Sequence, residues 1–93
     1  MKTILQKAIE TYGAEAQLNV AIEELSELIK EICKHKRGAD NVVAIIEEMA
    51  DVYIMLEQMR MIFDIQNLAI NDVVDKKITR LESKLKSIES EGE

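Results

Sequence analysis

Apolar residues recur every three or four positions along most of this chain, which is the spacing of α-helices. The pattern predicts four helices, at about Thr3–Tyr12, Glu15–Lys36, Asn41–Ile62 and Asn71–Ile88. Gly13 and Gly38 end the first two, and Asn or Asp side chains are available to cap the last two. No stretch alternates as a β-strand does. We therefore expect an all-α fold, a single four-helix domain over residues 1–93 whose last residues, about 89–93, are frayed.

The third and fourth helices carry more apolar surface than one chain can cover. Apolar residues surround nearly the whole third helix, and a helix of that kind is normally buried on all sides. The fourth has a narrow apolar seam, suited to packing along one neighbouring helix, formed by Val74, Ile78, Leu81, Leu85 and Ile88. A chain of 93 residues buries little surface alone. We therefore expect a homodimer or homotetramer that forms a shared helical bundle, with Tyr53 in the core.

Charge and composition exclude several kinds of partner. The formal net charge is −6, whereas binding to a nucleic-acid polymer requires a basic face. The most apolar stretch, Val42–Leu56, is interrupted by acids, so we expect no membrane span. The single cysteine, Cys33, permits no intrachain disulfide and fits a reducing compartment. We expect a cytoplasmic protein.

An acidic phrase occurs twice, as IEELSE at residues 22–27 and as IEEMAD at residues 46–51. Residues three apart on a helix point to the same side. Glu24 therefore shares a side with Glu27 on the second helix, and Glu48 shares a side with Asp51 on the third. The short turn between these helices makes them antiparallel neighbours. The four carboxylates are then expected to converge between the two helices.

Converging carboxylates repel one another unless a cation compensates them, and hard divalent cations prefer oxygen ligands. The pattern therefore favours a Mg²⁺ site, with Mn²⁺ as a possible substitute. Zn²⁺ is disfavoured because no thiolate or imidazole joins the cluster. A di-iron bundle needs Glu-x-x-His pairs, and His35 does not have that spacing. The alternative is that these acids form an ordinary solvated face.

The combined motif, Glu23-Glu24-x-x-Glu27 followed by Glu48-x-x-Asp51, resembles the signature of the all-α nucleotide pyrophosphohydrolases, the MazG-like group. Upstream, Tyr12-Gly13 followed by Gln17 is similar to the aromatic-Gly and Gln of that family. The resemblance implies Mg²⁺-dependent hydrolysis of a nucleoside triphosphate to the monophosphate and pyrophosphate, by dimers or dimers of dimers. It also implies that Gln17 contacts substrate, and that Lys77 and Arg80 on the fourth helix face its phosphates.

The resemblance and the chemistry of phosphoryl transfer suggest a role for each acid. Glu24, Glu27, Glu48 and Asp51 are expected to be the metal ligands, and Glu23 is the preferred general base, with Glu47 as the alternative. Two other functions remain open. The same fold serves phosphoribosyl-ATP pyrophosphohydrolases, and a non-catalytic helical oligomerisation module could use its acids only for solubility or pairing.

Overall fold

Four α-helices account for nearly all of residues 3–92, the part of the chain that the computed structural model describes. They are α1 (Ile4–Tyr12), α2 (Ala14–Lys36), α3 (Val42–Ile62) and α4 (Asn67–Glu91). These residues contain no β-strand, so the all-α prediction is confirmed. The predicted bounds of the first three helices agree with the structure to within two residues.

Local sequence signals explain where the first three helices begin and end. The Thr3 hydroxyl accepts a hydrogen bond from the Gln6 backbone N–H (3.1 Å), and the Gln6 side chain accepts one from the Thr3 N–H (2.9 Å). This capping box starts α1. Gly13 has φ 93° and Gly38 has φ 101°, a region that glycine enters without steric cost. The two glycines therefore turn the chain sharply after α1 and after α2.

The fourth helix is longer than its sequence pattern predicted. It begins after Gln66, which has an extended backbone and no side-chain cap, so the expected cap at Asn71 or Asp72 is wrong. Both residues lie inside the helix, because neither Pro nor Gly interrupts the segment from Asn67 onward. The helix also continues to Glu91, through residues expected to fray. Glu93 lies outside the described residues.

The centre of the structure is the antiparallel pair of α2 and α3, against which α1 packs. Within residues 3–92, the buried apolar residues are Ala21 and Met55, and the buried polar residues are Gln17 and Gln58. Within one chain α3 is not buried all round, and Tyr53 is 77% exposed. Burial of both in a bundle shared with a second copy stays a prediction. Among the described residues, α3 packs mainly against α2 and α1. Its remaining faces therefore stay open.

The fourth helix extends away from the three packed helices. Every residue from Asn67 to Glu91 is exposed, including all the members of its apolar seam.

Among the described helices, none combines the length and the apolar character needed to cross a membrane. The site-bearing part of the fold is therefore the α2–α3 pair, with α1 at one end.

Candidate metal centre

Three of the four predicted ligands meet between α2 and α3. Glu24, Glu48 and Asp51 each offer a carboxylate oxygen, and these three oxygens lie within 4.8 Å of one another. Glu24 and Glu48 are half-buried, whereas Asp51 is exposed. The antiparallel packing of the two helices brings together acids that are 24 and 27 positions apart along the chain. The cluster is therefore reachable from solvent on its Asp51 side.

The proximity of these acids alters their proton affinity. Partial burial raises the pKa of Glu24 above its ordinary 4.5, and the Asp51 carboxylate raises it further by its charge and by accepting a hydrogen bond from the protonated form. Partial burial also raises the pKa of Glu48, again reinforced by the charge of Asp51. Both shifts mean that the cluster holds its negative charges at a cost. A cation or a proton would relieve that cost.

One oxygen of the cluster lacks any partner. Glu48 Oε2 is buried and makes no hydrogen bond within the described structure, although buried carboxylate oxygens are normally satisfied. Three convergent carboxylates with one orphaned oxygen fit a hard divalent cation, because Mg²⁺ is commonly held by a few carboxylates while keeping other positions for water and phosphate. The donor set present therefore fits the predicted ion.

The fourth predicted ligand, Glu27, lies close to this group but outside it. Its side chain is exposed, and its charge contributes to the raised pKa of both Glu24 and Glu48. Glu23, the predicted base, is exposed one residue before Glu24. The charge of Glu47 contributes to the raised pKa of Glu48. Glu27 and Glu47 therefore lie close enough to act on the cluster by their charge, whereas Glu23 is placed only by its position next to Glu24.

An interaction that the sequence did not reveal fixes the turn end of this site. The Asn41 side-chain amide donates to the Glu31 backbone carbonyl (2.9 Å) and to Glu31 Oε2 (2.7 Å). Asn41 is the N-cap residue of α3, as expected, yet its side chain does not cap the helix because it is engaged by α2. The hydrogen bond lowers the pKa of Glu31. It ties α2 to α3 about two turns from Glu24 and from Glu48, and so sets the register of the two helices.

Two glutamines lie at the opposite end of the site. Gln17, predicted to bind substrate, is buried on α2, and Gln58 is buried on α3 with only 4% exposure. Gln58 Oε1 has no hydrogen-bond partner among the described residues. Sequence reasoning missed Gln58, although its position seven residues after Asp51 places it on nearly the same stripe of α3. The unsatisfied amide oxygen of Gln58 is a candidate contact for a polar ligand.

The predicted phosphate-facing pair does not join the acids within one chain. Lys77 and Arg80 lie on α4, where every residue is exposed. The charges that chiefly perturb Glu24 and Glu48 are all acidic. Lys77 instead borders a shallow apolar groove along its own helix. A single chain therefore provides the acids without the cations.

Comparison of the chain with models of protein families, with curated proteins and with solved structures finds no match.

Proposed function

We propose that the chain is a Mg²⁺-dependent nucleotide pyrophosphohydrolase of the MazG-like type, which hydrolyses a nucleoside triphosphate to the monophosphate and pyrophosphate. The observation that carries this proposal is the convergence of Glu24, Glu48 and Asp51, with oxygens within 4.8 Å and with Glu48 Oε2 unpartnered. Solvated surface acids spread apart and keep ordinary pKa values. Two of these acids are half-buried with raised pKa values instead.

The proposed chemistry assigns distinct tasks to the residues of the site. Glu24, Glu48 and Asp51 would hold Mg²⁺, with Glu27 as a bordering ligand. Bound there, the ion would neutralise phosphate oxygens and lower the pKa of a water ligand. Glu23 would accept a proton from the attacking water as the anhydride between the α- and β-phosphates breaks and pyrophosphate leaves. Gln17, with Gln58, would contact a polar part of the substrate.

Lys77 and Arg80 have a defined place in this proposal. They would neutralise the pyrophosphate if α4 of one chain lies beside the acid cluster of another chain. Since α4 is not packed on its own α2 and α3, the proposed enzyme acts as a homodimer or homotetramer. Replacing either cation by Ala should weaken substrate binding and lower the rate together, because phosphate is contacted in the ground state and in the transition state alike.

A screen of nucleotides tests this function. Standard and modified nucleoside triphosphates, with phosphoribosyl-ATP, are incubated with the protein and Mg²⁺, and pyrophosphate is measured. We expect release from at least one of them, and loss of release in Glu48→Gln and in Asp51→Asn, which keep side-chain shape. Asp75→Asn on α4, outside the cluster, is the matched control. Release that survives both cluster variants would contradict the proposal.

The exposed apolar faces also favour a second function, a non-catalytic helical oligomerisation module. Such a module would have no need of a convergent acid cluster. It should bind Mg²⁺ or Mn²⁺ no better than any acidic protein of similar charge. Metal affinity therefore separates the two functions.

A further inference from the structure

Two lysines lie on the same side of α2 as acids of the candidate site. Lys30 follows Glu27 by three residues and Lys34 follows it by seven, so both lie within about 60° of Glu27 around the helix axis. Along the axis they lie about 4.5 and 10.5 Å beyond it, toward the turn between α2 and α3. The acidic stripe of α2 therefore continues as a basic stripe.

Contacts around Glu31 connect these lysines to the acid cluster. Lys34 Nζ lies 3.3 Å from Glu31 Oε1 in an ion pair, and the charges of Lys34 and Lys30 help to lower the pKa of Glu31. The charge of Glu31 in turn contributes to the raised pKa of Glu48. The lysines therefore lie just beyond the cluster, where an extended anion bound to a metal ion in the cluster would reach them.

Lys30 has no structural role that would occupy its ammonium group. Among residues 3–92, no carboxylate forms an ion pair with it. It also precedes the last turn of α2, where Lys34, His35 and Lys36 stand and where a cation offsets the negative end of the helix dipole. Its side chain is exposed. The three N–H donors of Lys30 are therefore available to an anion.

The acids of the site create a need for cations when a nucleotide binds. Residues 23–27 and 47–51 together carry six carboxylates, and one Mg²⁺ offsets only two of these charges. The phosphates of a nucleoside triphosphate are also anionic and are repelled by the remainder. Phosphoryl transfer is catalysed mainly by positioning and by neutralising such charge. Because α4 extends away from the acids of its own chain, Lys30 and Lys34 are cations that one chain does place beside them.

The two ends of the site offer different side chains to a nucleotide. At the end toward α1, the buried polar residues are the uncharged amides Gln17 and Gln58, and Gln58 Oε1 is an acceptor without a partner among the described residues. An amide oxygen accepts hydrogen bonds from the N–H and O–H groups of a nucleoside, whereas it repels a phosphate oxygen. Ammonium groups bind phosphate. The nucleoside is therefore favoured toward α1 and the phosphates toward the turn.

We propose that Lys30 and Lys34 bind the two terminal phosphates of the substrate, which leave as pyrophosphate, with the nucleoside directed toward α1. This assignment rests on the proposed function, because it takes the substrate to be a nucleoside triphosphate. In the reaction, the water oxygen bonds to the α-phosphorus and its proton passes to Glu23. The bond from the α-phosphorus to the bridging oxygen breaks, and the negative charge departs on the pyrophosphate. The two ammonium groups donate hydrogen bonds to that leaving group.

Inorganic pyrophosphate is a probe for this site that requires no knowledge of the base. Isothermal titration calorimetry of the full chain in millimolar Mg²⁺ measures its Kd without any turnover. We expect wild type to bind it, Lys30→Gln to bind about 10-fold more weakly, and the Lys30→Gln, Lys34→Gln double variant about 100-fold more weakly, through loss of charge-assisted hydrogen bonds. A wild type that binds no pyrophosphate, or a double variant that binds it as tightly as wild type, would overturn the assignment.

Lys36→Gln is the matched control. Lys36 follows Glu27 by nine residues and therefore lies on the opposite side of α2, yet its substitution removes the same charge near the same helix end. This variant should bind pyrophosphate as wild type does, and a loss equal to that of Lys30→Gln would refute a specific site. Mn²⁺ binding should be unchanged in Lys30→Gln, which breaks no ion pair. Loss of Mn²⁺ together with pyrophosphate would also refute it.

Kinetics separate this assignment from the proposed function. With a nucleotide from which wild type releases pyrophosphate, Lys30→Gln should raise KM, lower kcat/KM and weaken inhibition by added pyrophosphate. Hydrolysis by wild type, combined with unchanged pyrophosphate inhibition in Lys30→Gln, would overturn the assignment and leave the enzyme standing. Pyrophosphate binding that depends on both lysines, in a protein that hydrolyses no nucleotide, would support the lysine site and overturn the proposed function.

Discussion

Divalent metal should stabilise this protein strongly, and the effect should depend on the acid cluster. In the absence of metal, the cluster opposes folding, because two unit charges within 4.8 Å of each other, such as those of Glu24 and Asp51, repel by about 1 kcal/mol even at the dielectric constant of water. An ion that binds only the folded state adds about 2.7 kcal/mol at 100 times its Kd. For a 93-residue domain, this corresponds to a rise in Tm of about 10–20 °C.

The assay is thermal unfolding followed by circular dichroism at a fixed protein concentration, with and without millimolar Mg²⁺ or Mn²⁺. The Glu48→Gln, Asp51→Asn double variant should lose the shift. Without metal it should melt at or above wild type, since two mutually repelling charges are gone. A control that removes two charges on α4, Asp72→Asn with Asp75→Asn, should keep the full shift. An equal shift in wild type and in the cluster variant would refute the reasoning.

Three further predictions concern pH, catalysis and register. Because the pKa of Glu48 is raised in the fold, its contribution to stability is present below pH 4.5 and is lost as the pH rises through the raised value. In metal-free buffer, the Tm of Glu48→Gln relative to that of wild type should therefore increase as the pH rises above 4.5. A difference in Tm between the two proteins that does not change with pH would contradict this. Glu23→Gln should keep the metal-dependent Tm shift yet lower the hydrolysis rate by about 100-fold or more if Glu23 is the general base, and an unchanged rate would remove that role. Asn41→Ala should lower Tm by about 5 °C through loss of its contacts with Glu31 and should weaken Mn²⁺ binding, whereas unchanged metal affinity would show that the turn does not set the register.

Sequence periodicity predicted the local fold well because each helix has its own signals. Gly13 ends α1 where expected, and the short turn after α2 makes α2 and α3 antiparallel neighbours. The start of α4 was missed because its cap is not a side chain: Gln66 precedes the helix without a capping hydrogen bond. Asn71 and Asp72 are cap formers that here occupy the helix interior, where propensity opposes them only weakly.

The candidate site was predictable to the extent that helical spacing determines it. Positions 24, 48 and 51 could be placed on facing sides of α2 and α3 from their separation along each helix. Spacing does not fix how two helices slide and rotate against each other, which is why Glu27 lies at the border of the cluster. The Asn41–Glu31 contact also escaped prediction, since an Asn before a helix ordinarily caps it.

The location of apolar surface was the hardest feature to read from the sequence. An apolar α3 indicates burial, but it does not say which chain provides the cover. In the single chain, polar Gln17 and Gln58 are buried, whereas Tyr53 and Leu56 are exposed. Periodicity cannot distinguish an apolar stripe that faces a neighbour in the same chain from one that faces a second copy, because both stripes have the same spacing.

The central claim is that the two copies of the acidic phrase build one metal site, and Mn²⁺ binding to single variants tests it most directly. Electron paramagnetic resonance of free Mn²⁺ during a titration measures the ions bound by wild type, Glu24→Gln and Glu48→Gln. The structure predicts that wild type binds Mn²⁺ and that each variant loses most of that affinity, because Glu24 on α2 and Glu48 on α3 would ligate the same ion. Glu24→Gln binding Mn²⁺ as wild type does, while Glu48→Gln fails to bind it, would contradict a shared site.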